Sequence, residues 1–495
     1  MIFYFRELLL PALVLMPVLL VPLSRLFRTA RGALWFGFAG NSLAGLAGCG
    51  AIVCVFLFGK IYAAGDWLML DMLSAWHLAV LLLITMLCSL YSVIYFLRES
   101  QAGKFDLKTA RRYVMLSLGS LSAIVLTLLS NNLGMMWVGL EATTLLTAFL
   151  ICLNATPTAL EAMWKYLLMC SVGVALAFAG ILIVAASTSA AHFEQPEFLL
   201  WSRMMESAGQ LDARLLKVGF IFLVVGFGTK AGLAPMHSWL PDAHSQAPAP
   251  VSAVFSGFLL NAALYCILRY VPLLDAALGG GGWAGGILVL FGLVSILIAA
   301  VFIVAQRDLK RLLAYSSVEH MGIIALGIGL GGLGVFAALF HVLNHSLCKT
   351  LSFFCAGRLD QKYGAHDMRK LTGILKTSPV WGTGLFGGLL ALIGLAPFAV
   401  FISEFLVLKA AWDKGAIWAL ALFVTGLCIV FVGVLRHAIA MAWEDAPHGM
   451  ERERIRGLEL FLMALPLATL LTLGLWMPEP LNSFLTQAAA ILGGK

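Results

Sequence analysis

Apolar segments of about 20 residues, separated by short polar connections, fill most of the sequence, and this pattern restricts the fold more than any other feature. A helix of that length spans the hydrocarbon core of a bilayer. Of the 495 residues, 61% are hydrophobic and 12% are charged, whereas soluble domains carry about 25% charged residues. We therefore predict a single membrane domain over 1–495. It is all-α and polytopic, because no segment shows the alternation of a barrel strand.

We place about fourteen transmembrane spans in the sequence. They are 8–23, 33–59, 72–97, 112–130, 133–153, 164–187, 216–234, 250–270, 284–305, 313–331, 334–357, 380–408, 416–440 and 458–476. Most of the 32 Lys and Arg residues lie in loops that follow odd-numbered spans. The positive-inside rule then places those loops in the cytoplasm and both termini on the outer side of the membrane.

Several function classes are excluded by composition and spacing. The net charge of +7 does not predict nucleic acid binding, because the basic residues lie in short loops and form no basic face. The nine cysteines are scattered without a C-x-x-C pair, so we interpret them as small apolar residues. The stretch "GIGLGG" at 327–332 matches a dinucleotide motif but follows a helix instead of a strand. We predict no cofactor and no metal site.

Ionisable residues inside the predicted spans are the first functional candidates. Lys165, Lys230, Lys349 and Glu141 all lie in apolar runs. A charged side chain at mid-membrane costs at least ~2.5–3.5 kcal/mol, so its presence suggests function. A desolvated lysine can release its proton near neutral pH, whereas an arginine stays charged. Two structural alternatives stay open: Lys165 could extend to the membrane surface, and Glu141 could serve only as a hydrogen-bonding group.

A row of titratable residues follows one face of the eleventh span. His341, His345 and Lys349 are spaced i, i+4, i+8, which places them on one helical stripe. Glu319 and His320 lie in the tenth span. Such a stripe can relay protons. The alternatives are that it packs as polar groups between helices, and that Glu319 and His320 face the cytoplasmic end of their span.

The tetrapeptide "GLAP" occurs twice inside apolar stretches, at 232–235 and 394–397. Pro235 and Pro397 would break the helical hydrogen-bond ladder, and broken helices in matching positions of two halves indicate a transport site. Asp242 and Glu404 each lie seven residues after the proline. We predict a hydrated hinge at each copy. Alternatively, Asp242 and His244 only cap the broken region.

Five segments carry a family resemblance. They are "WVGLEATTL", "KAGLAPMHSWLPDAHSQAPAPVSA", "RDLKRLLAYSSVEHMG", "FHVLNHSLCKTLSFFCAG" and "GLAPFAVFISEF". The chain resembles the antiporter-like, proton-conducting membrane subunits shared by respiratory complex I, membrane-bound hydrogenases and Mrp-type cation/proton antiporters. The stretches "SSVEHMG", "FLLNAALY" and "NHSLCKTLSFFCAG" most resemble the hydrogenase-4 component F type.

The resemblance implies a specific architecture and specific roles. It implies fourteen helices with two inverted five-helix repeats, spans 4–8 and 9–13, here 112–270 and 284–440, in which helices 7 and 12 are broken. It assigns proton transfer to Glu141, Lys165, Lys230, His341, His345, Lys349 and Glu404. Asn261 stands where some family members carry a lysine. The accessory candidates are Asp242, His244, Asn261, Glu319 and His320.

The resemblance also implies a function. The chain would be a non-catalytic, proton-translocating subunit in a bacterial or archaeal cytoplasmic membrane. Its partners would be other membrane subunits and a peripheral cytoplasmic redox arm, hydrogenase-like or complex I-like, and it would bind no nucleic acid. Three alternatives stay open: a subunit of an Mrp-type Na⁺/H⁺ antiporter, a structural anchor without transport, and a quinone-binding enzyme.

Overall fold

The computed structural model describes residues 2–189 and 197–493. Apart from one short hairpin, the regular structure of these residues is helical, which confirms the predicted all-α fold. Eleven of the described helices are long and apolar enough to cross a membrane. The chain is a multi-pass membrane protein.

The helices follow the predicted spans closely along the chain. The first are α1 (Ile2–Leu20), α2 (Ala30–Phe58), α3 (Met72–Gln101), α4 (Leu107–Leu129), α5 (Leu133–Ile151), α6 (Pro157–Ala186), α7 (Trp201–Glu206), α8 (Ala213–Ala231), α9 (Leu240–Gln246), α10 (Ala249–Val254), α11 (Leu260–Leu268) and α12 (Tyr270–Ala277). They are followed by α13 (Trp283–Ala305), α14 (Leu309–Leu330), α15 (Leu333–Tyr363), α16 (Ile374–Thr377), α17 (Pro379–Leu392), α18 (Ala399–Asp413), α19 (Ile417–Trp443), α20 (Gly457–Leu475) and α21 (Glu479–Ile491).

The predicted spans 216–234, 334–357 and 380–408 fall outside the eleven long apolar helices. The first corresponds to α8, which carries three basic residues, and the second to α15, which carries histidines and a lysine. The third is divided into the shorter helices α17 and α18. Charge and interruption therefore distinguish these segments from the other spans.

Both GLAP segments lie where a helix is interrupted. Helix α8 ends at Ala231 and α9 begins at Leu240, while α17 ends at Leu392 and α18 begins at Ala399. The glycine of each copy has a positive φ, 77° at Gly232 and 64° at Gly394. Glycine adopts this left-handed conformation without the steric penalty that other residues meet.

A two-stranded hairpin between α2 and α3 is an element that the sequence does not predict. Its strands, β1 (Ile61–Ala63) and β2 (Leu68–Leu70), are antiparallel, with Ile61 opposite Leu70. The hairpin leads directly into Asp71, whose Oδ1 accepts the backbone N–H of Ser74 at 2.9 Å. Ser74 Oγ accepts the backbone N–H of Asp71 in return, at 2.9 Å, and this capping box begins α3.

The contacts between residues divide the chain into two compact units. The first contains residues 1–231, 259–287 and 486–495, and the second contains 232–258 and 288–485. These units do not follow the predicted repeats 112–270 and 284–440, because 232–258 joins the second unit. The inverted repeats stay a prediction.

Glycines allow α6 and α8 to pack closely in the first unit. A Cβ atom added at Gly226 would lie 2.4 Å from the backbone nitrogen of Ala177 and 2.6 Å from the carbonyl oxygen of Gly173. Near the other end, a Cβ atom at Gly180 would lie 2.9 Å from the carbonyl oxygen of Gly219. Small residues commonly bring membrane helices into this kind of backbone contact.

We expect Gly226→Ala to destabilise the protein by about 1–3 kcal/mol, because the new methyl group meets backbone atoms that cannot rotate away. Gly50→Ala in α2 is the matched control, since nothing lies within 4 Å of a Cβ atom at that position. The measurement is the thermal unfolding midpoint of each variant in detergent. Equal midpoints for the two variants would contradict the close packing.

Candidate functional site

Lys230 lies in the last turn of α8 and is fully buried. Its Nζ donates to the carbonyl oxygen of Leu140 and to Thr143 Oγ1, each at 2.6 Å, and to Thr144 Oγ1. All three acceptors belong to α5 and are uncharged. An ammonium group has three N–H donors, so α5 offers each of them one partner.

The hydroxyl of Thr144 connects this lysine to a carboxylate. Thr144 Oγ1 donates to Glu141 Oε2 at 3.0 Å, and Ser171 Oγ of α6 donates to Glu141 Oε1 at 3.2 Å. Glu141 is partly buried, whereas Thr144 is buried. The predicted pair of Lys230 and Glu141 is therefore linked through a single hydroxyl group.

A second buried lysine occupies the second unit. Lys349 of α15 donates from Nζ to the carbonyl oxygen of Leu313 at 2.8 Å and to Ser316 Oγ. Both acceptors lie on α14. One turn further along α14 is Glu319, which is 2% exposed and interacts electrostatically with Lys349. Each unit thus places a buried lysine against a carbonyl and a hydroxyl of a neighbouring helix, with an acid three residues from that hydroxyl.

Three histidines form a cluster near this lysine. His320 Nδ1 and His341 Nε2 are hydrogen-bonded at 2.8 Å, and His341 Nδ1 is bonded to Ser403 Oγ at 2.8 Å. The ring centroids of His320 and His345 are 5.2 Å apart. All three imidazoles are fully buried, and neither nitrogen of His345 has a hydrogen-bond partner among the described residues. The predicted stripe on α15 is therefore joined by His320 from α14.

Glu404 of α18 completes this group. Its carboxylate and the nitrogens of His320 and His341 lie within 4.8 Å of one another. Two imidazoles and a carboxylate are also donors that suit Zn²⁺, although the sequence predicts no metal site. The hydrogen bonds of His341 to His320 and Ser403 already engage both of its nitrogens, which favours proton transfer between these groups.

The second GLAP copy holds Glu404 in place. A Cβ atom at Gly394 would lie 2.0 Å from Glu404 Oε2, so a larger residue there would displace the carboxylate from its position. A cavity of about 280 Å³ reaches the same carboxylate, with walls that include Phe401, Phe405 and Phe431. Glu404 itself is 5% exposed.

The acid at the matching position after the first GLAP copy has different surroundings. The carboxylate of Asp242 accepts a hydrogen bond from Arg311 Nη1 at 2.8 Å and is partly exposed. Close to it in sequence, His244 is fully buried with its ring stacked on Phe353, the centroids 5.3 Å apart. Asn261, the remaining accessory candidate, is buried on α11.

Lys165 does not join the buried lysines. Its side chain is 48% exposed and pairs with Glu161, one turn earlier on α6, at 2.7 Å. A carboxylate at i−4 gives this lysine a partner at the protein surface, so the structure favours the surface alternative over a place beside Lys230.

The first unit contains a buried ion pair that the sequence-based prediction of the site does not include. Arg269 donates from Nη1 and Nη2 to the two carboxylate oxygens of Asp71 at 2.6 and 2.8 Å. Its Nε donates to the hydroxyl of Tyr265 at 2.8 Å, and both charged residues are almost completely buried. Arg269 falls inside the predicted span 250–270, and this position in an apolar run is the signal that could have revealed it.

Hydroxyl groups also form several of the hydrogen bonds in the site, which the sequence does not predict. Thr143, Thr144, Ser316 and Ser403 each contact a lysine or histidine of the predicted set. The pair of threonines two and three residues after Glu141 is the local signal, because a hydroxyl at i+3 reaches the carboxylate on a helix.

Comparison with known proteins defines the family. Residues 130–430 match the family described as "NADH:quinone oxidoreductase/Mrp antiporter, TM". The chain belongs to this family. The match confirms the resemblance drawn from the five motif segments.

Relatives of this NADH:quinone oxidoreductase/Mrp antiporter family resemble the chain over most of its length. It is 40% identical over 410 residues to the hydrogenase-4 component F homologue of Methylacidiphilum infernorum (isolate V4), covering 82% of this chain and 85% of that protein. It is 26% identical over 363 residues to a Na(+)/H(+) antiporter subunit of Alkalihalophilus pseudofirmus, covering 73% and 72%. A chain of the membrane-bound sulfane sulfur reductase, an archaeal respiratory membrane complex, superposes with a TM-score of 0.87 at 26% identity, covering 99% and 98%.

We expect Arg269→Met to destabilise the protein by about 3–5 kcal/mol, because it leaves the carboxylate of Asp71 buried and unpaired. Adding Asp71→Asn should restore part of the lost stability, because the asparagine amide is neutral and keeps an oxygen that can cap α3. Thermal unfolding in detergent would measure both. A double variant less stable than the single one would show that Asp71 does not depend on Arg269.

Proposed function

We propose that this chain is a proton-translocating membrane subunit of a respiratory or hydrogenase-type complex, which couples electron transfer in partner subunits to proton pumping. The observation that carries the proposal is the buried Lys230, which is held by three neutral acceptors and linked to Glu141 through Thr144. A lysine in this setting can exchange a proton without losing a fixed salt-bridge partner.

Glu141 controls the stability of the ammonium at Lys230. One intervening hydroxyl separates the two charges by about 5–6 Å, and at an effective dielectric of about 20 their attraction is about 3 kcal/mol. Protonation or displacement of Glu141 would remove that attraction, and Lys230 would then release its proton. Because Glu141 is only partly buried, a change outside the first unit can reach it.

The second unit supplies groups that can continue the transfer. Lys349 would hold one proton, and the hydrogen-bonded imidazoles of His320 and His341 can accept and donate protons at opposite nitrogens. His345 lies beside His320 and would share that role. Glu404, next to the cavity, would be the last acceptor.

The partners and the location follow from the same proposal. We place the chain in the cytoplasmic membrane of a bacterium or archaeon, with both termini outside, among other membrane subunits and a peripheral cytoplasmic redox arm. The likeness to a hydrogenase-4 component F homologue and to a chain of an archaeal respiratory complex supports this assignment. The redox chemistry would take place in the partners.

Lys230→Ala should abolish proton pumping while the complex still assembles, because no other buried amine contacts Thr144 among the described residues. Lys409→Ala is the matched control, since it removes an exposed lysine that pairs with Asp413. Pumping is measured by dye quenching in inverted membrane vesicles at equal electron-transfer rates, and assembly by native gel electrophoresis. Retained pumping in Lys230→Ala would refute the proposed role of this lysine.

Thr144→Val should lower pumping more than Thr143→Val does. Both substitutions keep the shape and remove one acceptor from Lys230, but only Thr144 also contacts Glu141. We expect a loss of about tenfold or more for Thr144→Val if the hydroxyl link is required, in the range of a misplaced proton-transfer group. If both variants lost the same fraction of pumping in the same vesicle assay, Lys230 would need its hydroxyl acceptors but would not need the link to Glu141.

The second candidate is a subunit of an Mrp-type Na⁺/H⁺ antiporter, which the likeness to the Alkalihalophilus pseudofirmus antiporter protein favours. Gentle solubilisation of the native membrane, capture of this chain and mass spectrometry of the bound proteins separate the two candidates. A hydrogenase-like or complex I-like redox subunit would support the redox-driven function. Only small membrane proteins, without a redox subunit, would support the ion-gradient antiporter and make Na⁺ the next ion to test.

A further inference from the structure

We infer that the first unit contains a binding site for the phosphate headgroup of an anionic phospholipid, apart from all the proton-transfer candidates. The site is a cleft of about 410 Å³ between the 3₁₀ turn Val21–Leu26 and the beginning of α4. We call it the basic cleft. Its basic lining residues are Arg25, Lys108, Arg111 and Arg112, and its apolar walls include Val21 and Met115.

Arg111 builds the cleft. Its Nη2 donates to the carbonyl oxygens of Arg25 and Phe27 at 3.0 and 2.7 Å, which ties the turn to α4. Its Nε has no hydrogen-bond partner among the described residues. This Nε atom is buried, so Arg111 fixes the shape of the cleft, while the exposed side chains of Arg25, Lys108 and Arg112 are available to an anion.

The charge of the cleft is not balanced by protein groups. No carboxylate lines it, and none of its four basic side chains forms an ion pair among the described residues. The nearest acid in sequence is Asp106, which caps α4. Hydrogen bonds from the side chain and backbone of Thr109 hold the pKa of Asp106 below its usual range, so it is ionised, but it offsets one positive charge of four. The remaining positive charge attracts an anion.

Arginine favours phosphate among the possible anions. Its planar guanidinium presents paired N–H groups that match two phosphate oxygens, and three of the four basic residues are arginines. Basic pockets between membrane helices are typical sites for anionic lipid headgroups. Both observations indicate a phosphodiester.

The position of the cleft favours a lipid over a soluble ligand. It lies where one membrane-spanning helix ends, at Leu26, and another begins, at Leu107. Large apolar side chains on the same elements face outward next to it: Leu19, Leu23 and Leu26 are 68%, 44% and 73% exposed. An amphiphile with an anionic head and acyl tails would satisfy both surfaces, whereas free phosphate would satisfy only the basic one.

The test compares lipid binding by the purified chain in detergent, using native mass spectrometry. Phosphatidylglycerol and cardiolipin should bind at least about tenfold more tightly than phosphatidylcholine, and Arg25→Gln/Arg112→Gln should remove most of that preference. Arg452→Gln/Arg454→Gln is the matched control, because it removes two exposed arginines from the connection between α19 and α20. The control should bind anionic lipid like the wild type.

Four results would overturn the inference. One is equal binding of phosphatidylcholine by the wild-type chain, a comparison that does not depend on the folding of any variant. Another is an equal loss of binding in the control variant, which would indicate a general charge effect. The third is displacement of the lipid by millimolar inorganic phosphate, which would make the cleft a site for free anions. The fourth is loss of a partner protein from the complex in Arg25→Gln/Arg112→Gln while lipid binding is unchanged, which would assign the cleft to a protein contact.

Discussion

An ammonium group buried inside a membrane protein needs a partner for every N–H bond, and the first unit is arranged around that requirement. Leu140, Thr143 and Thr144 give Lys230 three acceptors from one face of α5. None of them is charged, so the lysine is satisfied by dipoles instead of a salt bridge. A salt bridge would fix the proton, whereas dipoles allow the charge of a more distant group to decide whether the proton stays.

The second unit meets the same requirement with different side chains. Lys349 uses one carbonyl and one serine hydroxyl, and a nearby acid, Glu319, has a buried oxygen without a hydrogen-bond partner among the described residues. The three histidines add donors and acceptors that can exchange roles. The acids that follow the two GLAP copies also differ. Glu404 is packed against Gly394, whereas Asp242 is bound to Arg311, so equal spacing in sequence gives unequal chemical environments.

The sequence predicts the charged groups of the site better than the groups that connect them. A lysine in an apolar run is conspicuous because its burial is costly, and Lys230 and Lys349 are both found buried. Threonine and serine are common in membrane helices, so Thr144, Ser316 and Ser403 become notable only when three-dimensional contacts are known. Lys165 and Arg269 are conspicuous in the sequence, but their surroundings are not predictable from it. The sequence position of Lys165 does not reveal that it is exposed beside Glu161, and the position of Arg269 in an apolar run does not identify Asp71 as its partner.

The close contact of α6 with α8 limits how the first unit can respond when a proton moves. Where two helices touch through glycine backbones, neither can slide or rotate without a collision between main-chain atoms. Helix α8, which carries Lys230, is thus held rigidly against α6, while the torsions of the lysine side chain and the hydroxyl groups around it can still rotate. The proton transfer proposed for Lys230 then requires reorientation of a few side-chain dipoles and no sliding of α8 along α6.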